Sequence, residues 1–291
     1  MNSLQPLQTL FDAGDGIAIS LPPRLKELYG TLSFPLPGAR PHIISNFVST
    51  LDGVVTLGLR GMIGGDAISG KSLQDAAVMG LLRAVSDVVV IGAGNLRASP
   101  KHIWTAERVF RDLADEYKSV RSALGKSSVP LNVIITERGE IDFSLPIFQT
   151  DTVDVLIVTK DAGANRLHSI AGGIVDGIPA RTTIAVVQFN EANDTITARE
   201  IVAEIMKMRP TTGMILHEGG PLMMAPFYRE RMVDELFLTF SPQVAGRDGK
   251  LHRPGFLDGI ALAPDIPTWG KLISVRQGGS HLFLRYRFNG I

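Results

Sequence analysis

The sequence contains no cysteine among its 291 residues. This absence excludes disulfide bonds, thiolate nucleophiles and zinc sites built from cysteine ligands. The chain also lacks an excess of charge of either sign, because 29 basic residues balance 29 acidic ones. Without a long-range electrostatic field, binding to nucleic acid or to an anionic membrane is not favoured, and a small molecule is the expected partner.

No apolar run in the sequence approaches the roughly 18 residues that a membrane-spanning helix needs. The first residues, MNSLQPLQTLFDAGDG, lack the basic flank and the apolar stretch that are typical of a secretory signal. We therefore expect a protein of the cytoplasm that has no membrane partner.

Common catalytic and nucleotide-binding signatures are absent as well. The six histidines show no H-E-x-x-H or other ligand spacing, so no metal site is predicted and each is expected to be a surface or core residue. The sequence contains no G-x-S-x-G, no G-x-G-x-x-G and no P-loop. These absences favour chemistry that is carried out by a bound organic cofactor, which the protein orients.

Hydrophobic residues make up 45% of the chain, which is enough for one sizeable core. Residues 1–40 are rich in proline and glycine and show no sustained periodicity, so we expect an N-terminal extension that packs on the core. Residues 41–291 are predicted to form a single α/β domain.

A largely parallel sheet is expected at the centre of this domain. Apolar, β-branched runs predict strands covered on both faces, and the segments between them are long enough for crossover helices. The strands predicted in this part are His42–Ser49, Val88–Ile91, Leu131–Thr136, Val155–Thr159, Thr183–Phe189 and Met214–His217. Capping boxes at Ser72–Asp75 and Thr197–Glu200 predict helix starts, and Pro221 suits the first turn of another helix.

Two further features predict antiparallel pairing. The Asp52-Gly53 turn signal predicts a hairpin in which Val54–Leu57 returns beside the preceding strand. The C-terminal part predicts three more strands, at Glu235–Ser241, Leu272–Arg276 and His281–Phe288. The expected architecture is therefore mixed α/β, with a mostly parallel central sheet flanked by helices and an antiparallel C-terminal edge.

Two glycine-rich segments each follow a predicted strand. Gly92–Asn95 comes after Val88–Ile91, and Glu218–Leu222 comes after Met214–His217. Glycine lets a backbone approach a phosphate closely, and free N–H groups at a helix start donate to it. Because the carboxyl ends of parallel strands meet at one edge of a sheet, the two segments are predicted to hold one dinucleotide together. The alternative is that these glycines only permit tight turns.

Several segments, taken together, resemble the pyrimidine reductase domain of riboflavin biosynthesis. Ser49–Gly53 resembles the S-L-D-G strand end of this family, and Leu81–Asn95 is similar to its L-R-A segment that ends in G-A-G-T. Glu218–Leu222 resembles its E-G-G-P-x-L loop. The family's remaining marks follow in order at Val233–Leu236, Ser241–Pro242 and Gly246.

The resemblance implies a dihydrofolate-reductase-like α/β fold, NADPH as hydride donor, and a homodimer. It implies reduction of the ribosylamino group of a phosphorylated aminopyrimidine, in which hydride adds to an open-chain imine carbon and the nitrogen takes a proton. Pairing of the strand at Val233–Ser241 across a two-fold axis would fit such a dimer. The zinc deaminase of the bifunctional relatives needs cysteine ligands and is excluded here.

The resemblance also assigns site residues. Asp52, Arg83 and Glu218 match positions near the pyrimidine and the ribose phosphate, with Asp52 and Glu218 as candidate catalytic acids and Arg83 as a phosphate ligand. The positions implied at the cofactor are Gly92, Ala93, Gly94, Asn95, Thr136, Thr159, Gly219, Gly220, Pro221 and Leu222.

Simpler interpretations of these residues stay open. Asp52 could serve only the turn, Arg83 could be a charge on a helix surface, and Glu218 could pair with a loop amide. Thr136 and Thr159 could be ordinary strand-end residues.

The sequence departs from the family at three places. Asn95 replaces a threonine, the segment 98–100 replaces D-D-P or D-N-P, and Met62 replaces a tryptophan. The departures keep two alternatives open, because a fold does not determine its substrate. One is a reductase of another heterocycle, such as dihydrofolate. The other is a protein that binds NADPH or a nucleotide without turnover.

Overall fold

The computed structural model describes residues 4–59, 65–173, 177–188 and 195–288. In this part the strands, numbered in chain order, are β1 Gln8–Asp12, β2 Ile17–Ala18, β3 Ser33–Phe34, β4 His42–Ser49, β5 Val88–Gly92, β6 Leu131–Ile135, β7 Val155–Lys160, β8 Thr182–Val187, β9 Met214–His217, β10 Glu235–Phe240, β11 Gly270–Gly278 and β12 His281–Phe288.

The helices of the same residues are α1 Pro23–Tyr29, α2 Gly65–Ser69, α3 Leu73–Val85, α4 Ala93–Ala98, α5 Ala106–Val109, α6 Ala114–Ala123, α7 Pro146–Gln149, α8 Asp161–Gly172, α9 Ala198–Met208 and α10 Pro221–Arg229. A short 3₁₀ turn at Arg111–Leu113 precedes α6. Within the described ranges, no helix combines the length and the apolar character that crossing a membrane requires.

One sheet of 10 strands runs through the domain in the order β1-β11-β12-β10-β4-β9-β5-β6-β7-β8. From β10 to β8 every neighbouring pair is parallel, whereas β12, β11 and β1 join the sheet in antiparallel fashion. A separate two-stranded sheet pairs β2 with β3. The predicted mixed sheet, with a parallel centre and an antiparallel C-terminal edge, is confirmed.

Local signals explain where the long helices begin. The Ser72 hydroxyl accepts the N–H of Asp75 at the start of α3. Thr197 and Glu200 form a complete capping box at the start of α9, with the Glu200 carboxylate accepting the Thr197 N–H at 2.8 Å. Such bonds satisfy N–H groups that have no partner within the helix, and both predicted helix starts are confirmed.

The sheet is covered on both faces. On one face α1, α3, α6 and α8 bury residues such as Leu28, Leu81 and Val120 against the strands. On the other face α9 and α10 bury Ile201 and Phe227. Because every central strand is buried on both sides, the carboxyl edge of the sheet is where the backbone emerges from the core to meet a ligand.

The predicted return arm of a hairpin at Val54–Leu57 is wrong. Both edges of β4 are already occupied, by β9 on one side and by β10 on the other. The chain does turn at Gly53, whose φ of 83° requires glycine, but Val54 then packs with Val48 and Ile68 in a small apolar cluster. A hairpin needs a free edge on the first strand, and β4 has none because β9 and β10 pair with it.

One further expectation is contradicted by the strand order, and two others concern residues that the structure does not describe. β10 lies between β12 and β4, so the strand at Val233–Ser241 has no edge for pairing across a two-fold axis, and this expectation is wrong. The predicted strand end at Phe189 and the substitution at Met62 lie outside the described residues.

The first forty residues contain more regular structure than their composition indicated. β1 pairs with β11 at the edge of the main sheet, and α1 buries Leu25 and Leu28. Buried arginines of the C-terminal hairpin reach back to this segment: Arg276 binds Asp12 at 2.7 Å, and Arg285 donates to the carbonyl of Ser33 at 2.6 Å. Sequence periodicity missed these elements because they are short.

Candidate active site

The two glycine segments lie side by side at the carboxyl edge of the sheet. β5 and β9 are parallel neighbours, and Val90 is paired with His217 at the end of β9. Helix α4 starts at Ala93, directly after β5, and α10 starts at Pro221, shortly after β9. The prediction that these segments meet in space is therefore confirmed, and each leads into a helix N-terminus.

Asn95 ties the two segments together. Its side-chain Oδ1 accepts the N–H of Gly92 at 3.0 Å, and its Nδ2 donates to the carbonyl of Glu218 at 3.3 Å. A methyl group on Gly92 would lie 2.9 Å from the Cγ of Met223, so any larger residue there would displace the Met223 side chain. The asparagine that departs from the family pattern thus uses its amide to link the two loops.

The outer surface of the segments leaves room for a ligand. A Cβ built on Gly220 meets nothing within 4 Å, and one built on Gly94 meets only the end of the flexible Arg97 side chain at 3.9 Å. Leu222 is exposed in the first turn of α10, next to the half-buried Pro221. Backbone N–H groups at helix starts, with open space before them, suit the phosphates of a dinucleotide.

Arg83 and Glu218 form a buried ion pair below this surface. The Arg83 side chain is only 2% exposed, and its Nη2 lies 2.7 Å from Oε2 of Glu218. Its Nε also contacts both carboxylate oxygens of Glu218, at 3.2 and 3.1 Å. The guanidinium therefore holds the carboxylate in one orientation through several charge-assisted hydrogen bonds.

The remaining donor atom of Arg83 is also occupied by protein. Nη1 lies 2.8 Å from Nε2 of His102 and 3.2 Å from the carbonyl of Thr105. Because arginine only donates, His102 accepts through Nε2 and is neutral, with its proton on Nδ1. Burial and the Arg83 charge lower the pKa of His102 to about 3.

This geometry differs from two interpretations of Arg83. The side chain is not a charge on a helix surface, because it is almost fully buried. Direct binding of a substrate phosphate does not fit either, since Nε, Nη1 and Nη2 all have protein partners. Glu218, for its part, pairs with Arg83 rather than with a loop amide.

Asp52 joins two loops at the same edge of the sheet. Its Oδ1 accepts the Thr50 hydroxyl at 2.6 Å and the Ala245 N–H at 3.0 Å, and its Oδ2 accepts the Gly246 N–H at 2.8 Å. The Thr50 hydroxyl, followed by the Ala245 N–H, holds the pKa of Asp52 well below its ordinary value. Asp52 is thus an anion that organises the loops, and this geometry favours its role in the turn over the supply of a proton.

Asp75 is an acid that sequence reasoning assigned only to helix capping. Its side chain does not return to the Ser72 N–H, which instead donates to the carbonyl of Ser69 at 3.3 Å. The residue is 8% exposed, and burial raises the pKa of its carboxyl to about 6. A hydrogen bond with Thr239 acts in the opposite direction and lowers this pKa. The negative charges of Asp66 and Glu218 add to the rise.

One signal in the sequence could have indicated a second role for Asp75. A capping box needs glutamate or glutamine at its third helical position, because aspartate is too short to reach back. The carboxyl of Asp75 is therefore left for other partners, near Glu218 and Thr239.

Thr136 directly follows β6, Thr159 lies near the end of the neighbouring β7, and both side chains are buried. Thr136 Oγ1 accepts the Gly139 N–H at 3.1 Å. A Cβ on Gly163 would fall 2.1 Å from Thr159 Oγ1, so α8 sits directly on this threonine. The geometry favours ordinary strand-end residues over contacts to a cofactor. Among the described residues, no cluster of acidic or histidine side chains could hold a metal ion.

Comparison with known proteins decides the family. The model of the RibD C-terminal domain matches residues 41–261, which is most of the chain. This chain belongs to that family. A search of curated proteins found no significant match.

Solved structures of the RibD type share the fold. A pyrimidine reductase-like protein of Corynebacterium diphtheriae is 19% identical, with a TM-score of 0.63 over 86% of this chain and 93% of that one. The deaminase/reductase of Thermotoga maritima is 18% identical, with a TM-score of 0.58 over 86% of this chain and 57% of the other.

The riboflavin biosynthesis reductase of Saccharomyces cerevisiae is 14% identical, with a TM-score of 0.55 over 86% of this chain and 90% of that one. At such identities the similarity establishes the fold. The predicted mixed α/β fold is confirmed, and these pyrimidine reductases share it.

Proposed function

We propose that this member of the RibD C-terminal domain family is an NADPH-dependent pyrimidine reductase. Its proposed substrate is 5-amino-6-(5-phosphoribosylamino)uracil, the compound named for the reductase of Thermotoga maritima, and its product is the ribitylamino compound. The observation that carries the proposal is the meeting of the two glycine segments, which the Asn95–Glu218 hydrogen bond of 3.3 Å joins at the carboxyl edge of the sheet.

The residues present suit the diphosphate of a dinucleotide. Gly220 and Gly94 leave open space above the starts of α10 and α4, where a side chain would otherwise stand. A helix N-terminus carries a positive dipole end and N–H groups without partners inside the helix, and both features suit a phosphate. When bound there, NADPH would supply the hydride for the imine carbon of the substrate.

The side chains around the site divide the remaining tasks. Arg83 orients the Glu218 carboxylate from below through Nε and Nη2. Asp52 anchors the loop at Ala245 and Gly246 and accepts hydrogen bonds only. The reduced nitrogen of the substrate needs a proton, and Asp75, whose pKa burial raises to about 6, is the acid able to hold one near neutral pH.

A direct assay tests the proposal. Purified protein is mixed with NADPH and the phosphorylated aminopyrimidine, and the loss of the near-ultraviolet absorbance of NADPH is followed. Turnover of this substrate is the expected result. Tight NADPH binding without oxidation would instead indicate the non-catalytic binding protein, and the absence of NADPH binding would contradict the proposal as a whole.

One observation favours a second candidate, a reductase of a heterocycle without a phosphate. Arg83, the arginine assigned to the ribose phosphate by the resemblance, binds protein groups through Nε, Nη1 and Nη2. A pterin such as dihydrofolate would make no demand on that arginine. Oxidation of NADPH with dihydrofolate, but not with the aminopyrimidine phosphate, would establish this alternative.

Assembly and location are part of the proposal. We infer a homodimer in the cytoplasm from the family resemblance, with an interface other than edge pairing of β10, which has strands on both sides.

A further inference from the structure

His217, the last residue of β9, lies directly beneath the glycine loop of the proposed cofactor site. It is paired with Ser45 of β4 on one side and with Val90 of β5 on the other, and its side chain is fully buried. The imidazole packs edge-on against Phe227 of α10, with ring centroids 4.5 Å apart and an interplanar angle of 77°. Its orientation is therefore set by the core.

The ring binds the loop above it. Nδ1 of His217 accepts the backbone N–H of Gly219 at 3.1 Å. A ring nitrogen that accepts carries no proton, so the neutral imidazole has its proton on Nε2. Burial lowers the pKa of His217 to about 3, so the ring stays neutral and the acceptor persists across the physiological range.

Gly219 and His217 are fitted to each other. A Cβ on Gly219 would lie 2.5 Å from the Cε1 of the imidazole, so only glycine allows the loop to approach the ring this closely. The bond directs the Gly219 N–H into the protein. The adjacent Gly220 faces open space, and the carbonyl of Glu218 is held by Asn95 from the other side.

We propose that His217 is a positioning residue for the cofactor loop: by accepting the Gly219 N–H, it holds the loop in the one conformation that presents Gly220 to the dinucleotide phosphate. The inference rests on the proposed function, because it takes the loop to be the cofactor loop. A loop that is held before binding loses less conformational entropy when the ligand arrives, and affinity rises accordingly.

Two substitutions separate positioning from simple packing. His217→Asn keeps an acceptor near the place of Nδ1, whereas His217→Leu keeps a buried side chain of similar bulk but offers no acceptor. We expect His217→Leu to raise the NADPH dissociation constant about tenfold, the effect of losing one buried hydrogen bond. His217→Asn should stay within about threefold of the wild type. The dissociation constants are measured by fluorescence titration, with thermal unfolding recorded for each variant.

A merely structural role would give a different pattern. Both variants would then change the melting temperature while their NADPH dissociation constants matched that of the wild type, and this result would overturn the inference. If His217→Leu does not fold, amide exchange in the unaltered protein replaces it. The Gly219 N–H is expected to exchange slowly although it lies outside helices and strands, and rapid exchange would also overturn the inference.

A third variant distinguishes failure of the inference from failure of the proposed function. Gly220→Val should weaken NADPH binding whatever His217 does, because it fills the space for the phosphate. If Gly220→Val weakens binding but His217→Leu does not, only the role of His217 is wrong. If neither does, the loop does not bind the cofactor, and the inference falls together with the proposed site.

Discussion

At Gly220 the backbone faces open space, and its φ of −66° is one that any residue can adopt. Replacement by valine should therefore leave the fold intact and obstruct only a ligand. We expect Gly220→Val to raise the NADPH dissociation constant by about tenfold or more, because the phosphate loses its close approach to backbone N–H groups. Fluorescence titration with NADPH measures the effect.

Gly172 provides the matched control for that substitution. It lies at the end of α8, away from both glycine segments, and a Cβ there also meets nothing within 4 Å. Gly172→Val should bind NADPH as the unaltered protein does. Equal affinity of both valine variants would remove the Glu218–Leu222 loop from the cofactor site.

Asp75 is predicted to act as the proton donor of the reaction. Asp75→Asn keeps the shape of the side chain but removes its proton, so kcat should fall about a hundredfold while NADPH affinity changes little. In the unaltered protein kcat should decline as the pH rises through about 6, since the donor must be protonated. The variant should lack this decline, and steady-state kinetics across pH measures both effects.

Asp66→Asn is the control for Asp75. Asp66 is exposed, and its negative charge contributes to the raised pKa of Asp75. Its removal should lower that pKa and shift the decline of kcat to lower pH, with an unchanged maximum at acid pH. A decline that stays in place would show that another group titrates.

The Arg83–Glu218 pair should be tested as a unit, because removal of either charge leaves the other buried without a partner. Arg83→Met leaves the Glu218 carboxylate without its partner and is expected to lower the free energy of unfolding by about 3–5 kcal/mol. The double variant Arg83→Met/Glu218→Gln should recover part of this loss. Urea denaturation measures each value, and a double variant as unstable as the sum of both single variants would contradict the pairing.

At the scale of elements, β1 protects the edge of the main sheet. It pairs with β11, and its last residue, Asp12, binds the buried Arg276 at 2.7 Å. Deletion of residues 1–12 would expose the edge of β11 and leave Arg276 without its carboxylate. We expect a lower melting temperature and concentration-dependent association, measured by thermal unfolding and light scattering. A melting temperature equal to that of the unaltered chain would show that β1 does not protect this edge.

The elements themselves were largely predictable from sequence. Strands β4, β5, β6, β7 and β9 and helices α3 and α9 lie where β-branched runs and capping residues placed them. Such signals depend on residues close together in the sequence, so they can be recognised without knowledge of the tertiary structure. The hairpin arm at Val54–Leu57 failed because its formation depended on which strands had already taken the edges of β4.

For the whole molecule, the buried histidines predict loss of stability in acid. Burial lowers the pKa of both His102 and His217 to about 3. In the unfolded chain they titrate near 6.5, so the unfolded state binds more protons between these values and stability falls as the pH drops through this range. The raised pKa of Asp75, about 6, has the opposite effect on stability. It is a single group, so the two histidines outweigh it.

We therefore expect the melting temperature to decrease between about pH 6.5 and 4. His102→Gln and His217→Asn keep the acceptors for Arg83 and Gly219 without the titration. The double variant should show a shallower dependence on pH, as measured by calorimetry. An unchanged slope would assign the acid sensitivity to other groups.

Part of the site also followed from sequence alone. Gly92–Asn95 and Glu218–Leu222 each follow a strand that the sequence predicts to be parallel. Because the carboxyl ends of parallel strands share one edge of the sheet, the sequence predicts that the two segments meet, as they do. The roles of side chains did not follow. Arg83 and Glu218 are 135 residues apart in the sequence, and Asp52 and Gly246 are 194 apart. No local sequence pattern therefore predicts that these residues are in contact.

The physical reason lies in the range of the interactions. Caps, turns and buried strands depend on neighbours along the chain, and for this protein they settle the fold class and the location of the loops. Burial and the partners of charged groups depend on what the completed sheet brings together. Only the folded molecule therefore decides that Arg83 supports Glu218, that Asp52 stays an anion, and that His217 binds the loop above it.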